Sequence, residues 1–403
     1  MAPVKILVIG GGLGGLCLAQ GLSRTGFDVA VFEKNRGPAD RLQEYRIRLN
    51  PDASRALQQC LPPSLWDRFV AASRACGPFR FLTEQLEPLL TFGPSRGRHI
   101  SIGRNQLRQV LLQGMDRVVD FSKVFQRYEV GPTGRVAAFF EDGSAAEGDL
   151  LVAADGNHSR VRKQYLPLAN RIDTGVSGTV GKVILDEAAE RSLHREFLGG
   201  SGLVLAPGGR SMYFGPHRFD AKADDHLLWA LVSKTERHRF SIEPGEMAGP
   251  ALRTETLNQI QGWHPAFSHM VSASEADSIS CVRIGTSVCI EPWTASGVTL
   301  IGDAIHGMTP YRGIGASAAL KDAAALCGQL GKAATGQQSL VKAVATYESE
   351  MRAYGFAAAK ASTNALKRAV DGGAMARAGT RTLLRTAQRF PWLRDWLFSD
   401  IAG

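Results

Sequence analysis

Val4-Lys5-Ile6-Leu7-Val8-Ile9-Gly10-Gly11-Gly12-Leu13-Gly14-Gly15 opens the chain with a short apolar run that breaks into a glycine-rich loop. Such a run suits a buried parallel strand, covered on both faces. A helical pattern, Leu16, Leu18, Ala19 and Leu22, follows and stops at Gly26. A second strand, Val29-Ala30-Val31-Phe32, ends at Glu33 with Lys34 beside it. Strand, G-x-G-x-x-G, helix, strand and acid thus succeed one another within about 30 residues. Gly10 is expected to make the tight turn, Gly12 to admit a pyrophosphate, and Gly15 to let helix and strand pack closely. The helix N-terminus offers unpaired N–H groups and partial positive charge to phosphates. Glu33 is placed to accept from an adenosine ribose. The loop, Leu13 and Gly14 included, therefore reads as a dinucleotide site, and this motif alone does not separate FAD from NAD.

Two later segments repeat the pattern of a strand ending in an acid and a glycine. Leu150-Leu151-Val152-Ala153-Ala154-Asp155-Gly156 is one, and taken alone it is an ordinary turn signal. Val298-Thr299-Leu300-Ile301-Gly302-Asp303 is the other. It continues through Pro310, Gly313 and Gly315 into an alanine-rich helix, whose free N–H groups suit an anion or a polarised carbonyl.

Together these segments resemble the single-component, group A FAD-dependent aromatic monooxygenases, the family of 4-hydroxybenzoate and salicylate hydroxylases. That family has an N-terminal G-x-G-x-x-G, a central Asp-Gly and a late Gly-Asp, in this order. Arg104-Asn105-Gln106-Leu107-Arg108 also resembles its R-x-x-L-R segment. The resemblance spans residues 3 to about 330. It implies non-covalent FAD, with Glu33 on the adenosine ribose and Arg104 near the phosphate and ribityl region. Asp303 falls on the ribityl chain, with Gly302 beside it among the cofactor-binding residues, Asp155 near the flavin and the nicotinamide path, and Gly313 and Gly315 close to the flavin's pyrimidine edge. It further implies NADPH or NADH as co-substrate, O₂, and hydroxylation or epoxidation of an aromatic or polycyclic small molecule through a flavin C4a-hydroperoxide. An oxidase, reductase or halogenase on the same scaffold, or a flavin-bound sensor without turnover, are the alternatives. Ile305 and Gly307 replace the family's usual Ala and Pro, Lys321 stands where an acid often precedes Asp322, and Ala153 replaces a frequent glycine.

The expected architecture is α/β: a Rossmann-like FAD-binding domain interleaved with a β-sheet substrate domain, and a helical C-terminus. The boundaries read as 1–170 and 275–335 for the FAD-binding part, 171–274 for the sheet, and 336–403 for the terminal helices. Arg46 and Arg48 alternate along a short strand; one of them is expected to face the flavin or nicotinamide, or else both line a solvated edge. Arg46, Tyr213 and Pro310 are the candidate catalytic residues. Tyr213, Phe214 and Trp229 either line a substrate cavity or are core aromatics. His306 is expected to be structural, hydrogen-bonding the loop that follows Gly302-Asp303. Phe390-Pro391-Trp392-Leu393-Arg394-Asp395-Trp396 reads as a packed cap.

Composition fits this picture. Of 403 residues, 44% are apolar and 21% charged, ordinary values for a globular protein. The formal charge of +9 is spread without a basic run, densest between Lys360 and Arg394, where it reads as a solvated helix face with membrane-surface contact as the alternative. No nucleic-acid partner and no metal site are expected. The six cysteines form no C-x-x-C pair, and Cys17 and Cys327 fall in apolar helical stretches as inert buried thiols. A cytoplasmic monomer or homodimer without a membrane span is expected.

Overall fold

The computed structural model describes residues 3–38, 45–94, 99–219, 225–237, 247 and 249–398. The chain divides into two compact units. The first comprises Met1–Arg74, Ile100–Ile172 and Gly285–Thr363; the second comprises Ala75–His99, Asp173–Ile284 and Asn364–Gly403. Residues 75–99, which the sequence groups with the nucleotide-binding part, belong to the second unit, because Phe79–Leu82 pairs in parallel with Ser201–Ala206. Most of the helix Leu340–Asp371 belongs to the first unit.

The first unit is built on a five-stranded parallel sheet. Strand β1 (Lys5–Ile9) lies between β2 (Asp28–Phe32) and Leu150–Ala153, and Val298–Leu300 and Val119–Asp120 form the edges. Ile6 to Val8 and Leu150 to Ala153 are completely buried. Both faces are covered, so the strands are apolar throughout rather than alternating. Helix α1 (Leu13–Arg24) packs on Gly315–Ala334 and on Pro51–Cys60. The helix Pro51–Cys60 starts cleanly because Asn50 Oδ1 accepts from Ala53 N at 3.0 Å and proline occupies its first turn. Cys17, Cys60 and Cys327 are buried free thiols in this layer, and Gly21 leaves room for the last two: a Cβ there would lie 2.8 Å from Cys327 Sγ and 3.1 Å from Cys60 Sγ.

A seven-stranded, mostly antiparallel sheet forms the second unit. Its core face carries Met212, Phe214, Leu227, Trp229 and Leu231, packed with Phe197, Phe267 and Met270. Two glycines make this packing possible. Gly181 pairs with Trp229 and Gly202 with Phe214, and a Cβ on either would sit 2.5 Å or 2.3 Å from the opposing ring. Phe214 and Trp229 are thus core residues rather than cavity lining, with Trp229 Nε1 donating to Ser274 Oγ at 2.7 Å. Tyr213 lies on the opposite face, half-buried, its hydroxyl 3.4 Å from Ser201 Oγ.

The terminal segment is only partly a packed cap. Leu393, Leu397 and Phe398 pack on the Phe81–Phe92 cluster, but Trp392 and Trp396 are 69% and 74% exposed. Among the described residues no helix is long and apolar enough to cross a membrane.

The helix Leu340–Asp371 anchors the edge strand Val298–Leu300 with polar groups. Tyr347 donates to Leu300 O at 2.9 Å, and Thr299 donates to the buried Glu348 at 2.8 Å. Burial pushes the Glu348 carboxyl up to about 7 against the hydrogen bond from Thr299. In the unfolded chain this group ionises from about pH 4.3 upward; in the folded protein it stays neutral up to about 7. Stability therefore falls as pH rises between these values and stays lowered above them. Glu348→Gln is expected to remove that loss and to exceed the unchanged chain by roughly 1–3 kcal/mol near pH 8. Urea unfolding at several pH values checks this, and identical pH profiles would contradict it.

Candidate functional site

Four motifs leave the parallel sheet along a single edge. Ile9 is in register with Phe32 on one side and Ala153 on the other, and Ala153 with Leu300. Gly10, Glu33, Asp155 and Gly302-Asp303 consequently begin just past the carboxyl ends of adjacent strands, where open parallel sheets bind ligands. Backbone bonds hold the exits in line: Gly10 N to Phe32 O at 2.9 Å, Ala154 N to Ile9 O at 2.7 Å, and Ile301 N to Ala153 O at 2.9 Å.

The glycine loop divides into positions that must be glycine for the fold and one that need not be. Gly10 has φ +112°, and a Cβ there would lie 2.4 Å from Ala154 O. A Cβ on Gly15 would lie 2.2 Å from Gly10 O, so this glycine lets α1 seat against the strand. Gly14 meets Ala319 of the neighbouring helix at 3.3 Å by the same measure, and Leu13 is buried in the first turn of α1. Gly12, the residue capping α1, would place a Cβ in open space, and no side chain caps the helix. The free N–H groups of α1 therefore face an unfilled position, as a pyrophosphate cradle requires.

Glu33 is buried and tied to this loop. Its Oε2 accepts from Gly11 N at 2.7 Å and its Oε1 from Asn35 N at 2.9 Å, leaving each oxygen a further lone pair. Lys34 beside it is exposed. Arg108 donates to Gly11 O at 3.3 Å and Pro38 O at 2.6 Å. Its Nη2 is buried with no partner among the described residues, and burial lowers its pKa against the charge of Glu33. Asp155 Oδ2 accepts from Arg160 N at 2.9 Å, while its Oδ1 is buried without a partner. Burial raises the Asp155 pKa.

The Gly302-Asp303 turn is held from beneath by Asp322, which the sequence reading left without a role. Gly302 has φ +59°, and its N–H donates to Asp322 Oδ2 at 2.6 Å. His306 Nε2 lies 2.6 Å from the same oxygen, and Tyr354 donates to Oδ1 at 2.6 Å. His306 is completely buried. Burial opposes its protonation, but the adjacent Asp322 leaves its pKa raised. Gly355 makes room for the ring, since a Cβ there would lie 2.4 Å from His306 Cδ2. His306 is thus structural, bonding the carboxylate that positions the loop. Asp303 itself is partly buried; burial raises its pKa while His306 and Arg171 act in the opposite direction. Gly315, the first residue of its helix, has its Cβ position 3.9 Å from Asp303 Oδ1. Gly313 has φ +63° and Pro310 is exposed.

Further arginines fasten the motifs to one another. Arg162 donates to Ala304 O at 2.7 Å and to Asn157 O at 3.0 Å, joining the Asp-Gly loop to the Gly-Asp turn. Arg171 bonds Asn157 Oδ1, and a side chain at Gly307 would strike both partners, with Arg171 Nη1 at 2.1 Å. That contact is the physical reason for glycine where the family usually has proline. Lys321 bonds Asp52 at 3.1 Å and lies over the Tyr354 ring. Arg104 starts its helix with its N–H on Tyr45 O at 2.9 Å, and both Arg104 and Asp303 act electrostatically on the Tyr45 hydroxyl, whose pKa burial raises. Arg46 and Arg48 lie on one face of β3 (Arg46–Leu49), opposite the buried Ile47 and Leu49. Arg46 donates to Ser101 Oγ at 2.9 Å and Ser101 O at 2.6 Å. Tyr213 lies in the second unit. A surface cavity of about 510 Å³ lined by Pro38, Arg68, Gln109, Met115 and Asp116 shares none of the predicted residues.

Known proteins resemble this chain in sequence and in fold. A family profile described as an FAD binding domain matches residues 119–362, and one described as an NAD(P)-binding Rossmann-like domain matches residues 8–59. A solved chain from Photorhabdus luminescens subsp. laumondii, assigned as an FAD-containing monooxygenase, superposes with a TM-score of 0.84 at 34% identity, covering 91% of this chain and 99% of that one. The chain belongs to the FAD-dependent monooxygenase family. The dual O-methyltransferase/FAD-dependent monooxygenase elcB of Phaeosphaeria nodorum is 27% identical to this monooxygenase-family chain over 88% of it. The chain spans only 44% of the length of that relative. Klebsiella pneumoniae HpxO, solved with FAD and uric acid, has the same fold, with a TM-score of 0.79 at 22% identity, covering 99% of this chain and 98% of HpxO.

FAD, the cofactor of this family, fits the residues present. The cradle at Gly12 is open, Glu33 keeps unused lone pairs, and Asp155 Oδ1 and Arg108 Nη2 are polar atoms buried without partners. Gly12→Ala is expected to leave the thermal stability of the FAD-free protein nearly unchanged while weakening FAD binding about tenfold or more, a loss of at least ~1.4 kcal/mol. Gly15→Ala forces a close contact and should destabilise the FAD-free protein itself by roughly 1–3 kcal/mol. Melting curves and FAD titrations of both variants separate the two roles; the same effect from both substitutions would refute them.

Proposed function

We propose that this chain is an NAD(P)H-dependent monooxygenase that places one oxygen atom of O₂ on a small aromatic or polycyclic substrate. The observation that carries the reading is the alignment of the glycine loop, Glu33, Asp155 and Gly302-Asp303 along one sheet edge, in a chain of this family. When bound, FAD supplies two-electron redox chemistry and the activation of O₂.

The chain's own residues then bind and orient. Backbone N–H groups of Gly12, Leu13, Gly14 and Gly15 take the pyrophosphate, Glu33 accepts from the adenosine ribose, and Lys34 remains near it. Arg104 takes a place beside the phosphate and ribityl region. Arg108 has a buried Nη2 to offer there as well. Asp303 receives a ribityl hydroxyl, with Gly302 shaping its turn. Gly313 and Gly315 would offer backbone N–H groups to the flavin, and the helix N-terminus they open would favour negative charge on it. Asp155 supports the flavin and the path of the nicotinamide. Arg46, with Arg48 on the same face, steers the phosphates of NADPH or NADH, since guanidinium suits bidentate phosphate contacts. Pro310 and Tyr213 are proposed catalytic residues, each within its own unit. We further propose that the parts of residues 1–170 and 275–335 in the first unit serve FAD, and that 171–274, in the second unit from Asp173 on, serves substrate.

The purified protein is expected to be yellow and to release FAD, not FMN, on denaturation. Aromatic substrate is expected to accelerate flavin reduction by NAD(P)H in stopped-flow, and the product to gain one atom from ¹⁸O₂ by mass. Oxygen drawn from water, or a product merely dehydrogenated, would overturn the monooxygenase reading in favour of an oxidase or reductase. Labelled product without faster reduction would keep the reaction and remove substrate gating.

A further inference from the structure

The last two helices of the second unit keep large aromatic side chains in water. Helix Ala374–Arg389 turns Leu384 and Ala387 onto Phe81, Leu90 and Phe92, and Arg381 is fastened there to Glu84 and to Leu205 O. Among the described residues, the opposite side is exposed. Met375, Thr382 and Arg389 recur every seven residues and form one stripe away from Leu384. Met375 is 90% exposed, and Leu383 and Phe390 are exposed beside it. In the following helix, Pro391–Leu397, Trp392 and Trp396 are four residues apart and share a face. Leu393 and Leu397 pack inward. A single exposed apolar residue needs no explanation, whereas a run of exposed Met, Leu, Phe and two Trp does.

The charge of the same segment is one-sided. Residues 364–398 hold Lys367, Arg368, Arg377, Arg381, Arg385, Arg389 and Arg394 against Asp371 and Asp395 alone. Arg381, Arg385 and Arg394 pair with Glu84, Glu87 and Asp395, and Asp371 pairs with Lys234. Lys367, Arg368, Arg377 and Arg389 stand outside these pairs. Cationic side chains flanking exposed tryptophans are the signature of a helix lying in a membrane interface: the indoles enter the headgroup layer and the cations meet lipid phosphates. A second copy of this chain docked through the same patch would set like charges against each other, which opposes association.

We propose that helices Ala374–Arg389 and Pro391–Leu397 dock this protein peripherally on an anionic lipid surface. Trp392 and Trp396 are the apolar anchors, and Arg389, on the exposed stripe, supplies the attraction. The proposal stands apart from the reaction, because it concerns residues outside the flavin site. It makes the protein a surface-bound enzyme that meets apolar substrates where they partition.

The test is flotation of the FAD-loaded protein with vesicles of phosphatidylcholine alone and of phosphatidylcholine with phosphatidylglycerol in equal parts. The protein is expected to float with the anionic vesicles and to be left behind by the neutral ones. Arg389→Glu is expected to weaken binding about tenfold or more, and Trp392→Ser with Trp396→Ser to abolish it. High salt should act like the charge reversal. FAD content of both variants should match the unchanged chain, which excludes misfolding as the cause. Flotation that is equal in all three proteins, or absent for the unchanged chain, overturns the proposal. So does a dimer in sedimentation that the tryptophan substitutions dissociate, which would assign the patch to a second copy. Retention of single-stranded DNA without vesicle binding would assign it to nucleic acid.

Discussion

The parallel register of Lys5–Ile9 with Leu150–Ala153, and of the latter with Val298–Leu300, is the constraint on which the site depends. The three segments are separated by more than a hundred residues each, yet Ile9, Ala153 and Leu300 end level. A shift of one residue would turn every side chain to the other face and move an acid away from the glycine loop. Complete burial of the central strands prevents such a shift, because each side chain already fills its place in a packed layer.

Alignment of the strands does not by itself hold the loops that leave them. Buried polar groups do that. Asp322 gathers Gly302 N–H, His306 and the Tyr354 hydroxyl on one carboxylate. Arg162 spans from Asn157 to Ala304 and so makes the central and late motifs a single body. An unpaired polar atom in such a place costs free energy, so a network satisfied at most of its positions is stiff. Asp155 Oδ1 and Arg108 Nη2 are buried without partners among the described residues, which leaves them able to bond a ligand.

The second unit solves a different packing problem. Its sheet buries Trp229 and Phe214 by placing glycine directly opposite each ring. A side chain at Gly181 or Gly202 would have to displace the aromatic ring and open the core. The two faces of the sheet therefore differ in kind: one is a closed aromatic core, and the other presents Tyr213. The terminal helices follow the same logic on a smaller scale, with Leu384 and Ala387 turned inward and Met375 left outside.

Local sequence was sufficient for the elements and for a dinucleotide site, while the choice of FAD came from the resemblance to a family. Apolar runs ending in Gly10, Glu33, Asp155 and Gly302-Asp303 identify parallel strands and the loops after them, because strand burial and glycine turns are short-range demands. The alternation of Arg46 and Arg48 and the structural role of His306 were legible on similar grounds. The partners across long separations were not. Asp322 carried one available signal, an acid among Leu320, Ala323 and Ala324, where a charge must be paired, but the identity of its partners came from packing with residues 302, 306 and 354. Phe214 and Trp229 could not be sorted from Tyr213 by composition, since all are aromatic residues on strands; only the register with Gly202 and Gly181 shows which face is closed. Trp392 and Trp396 likewise have the pattern of a packed helix, and whether they are covered depends on how many apolar surfaces are left to receive them. Sequence thus determined which segments form the candidate site, and tertiary structure decided which side chains meet, because hydrogen-bond partners and buried faces are chosen by contacts that no local pattern encodes.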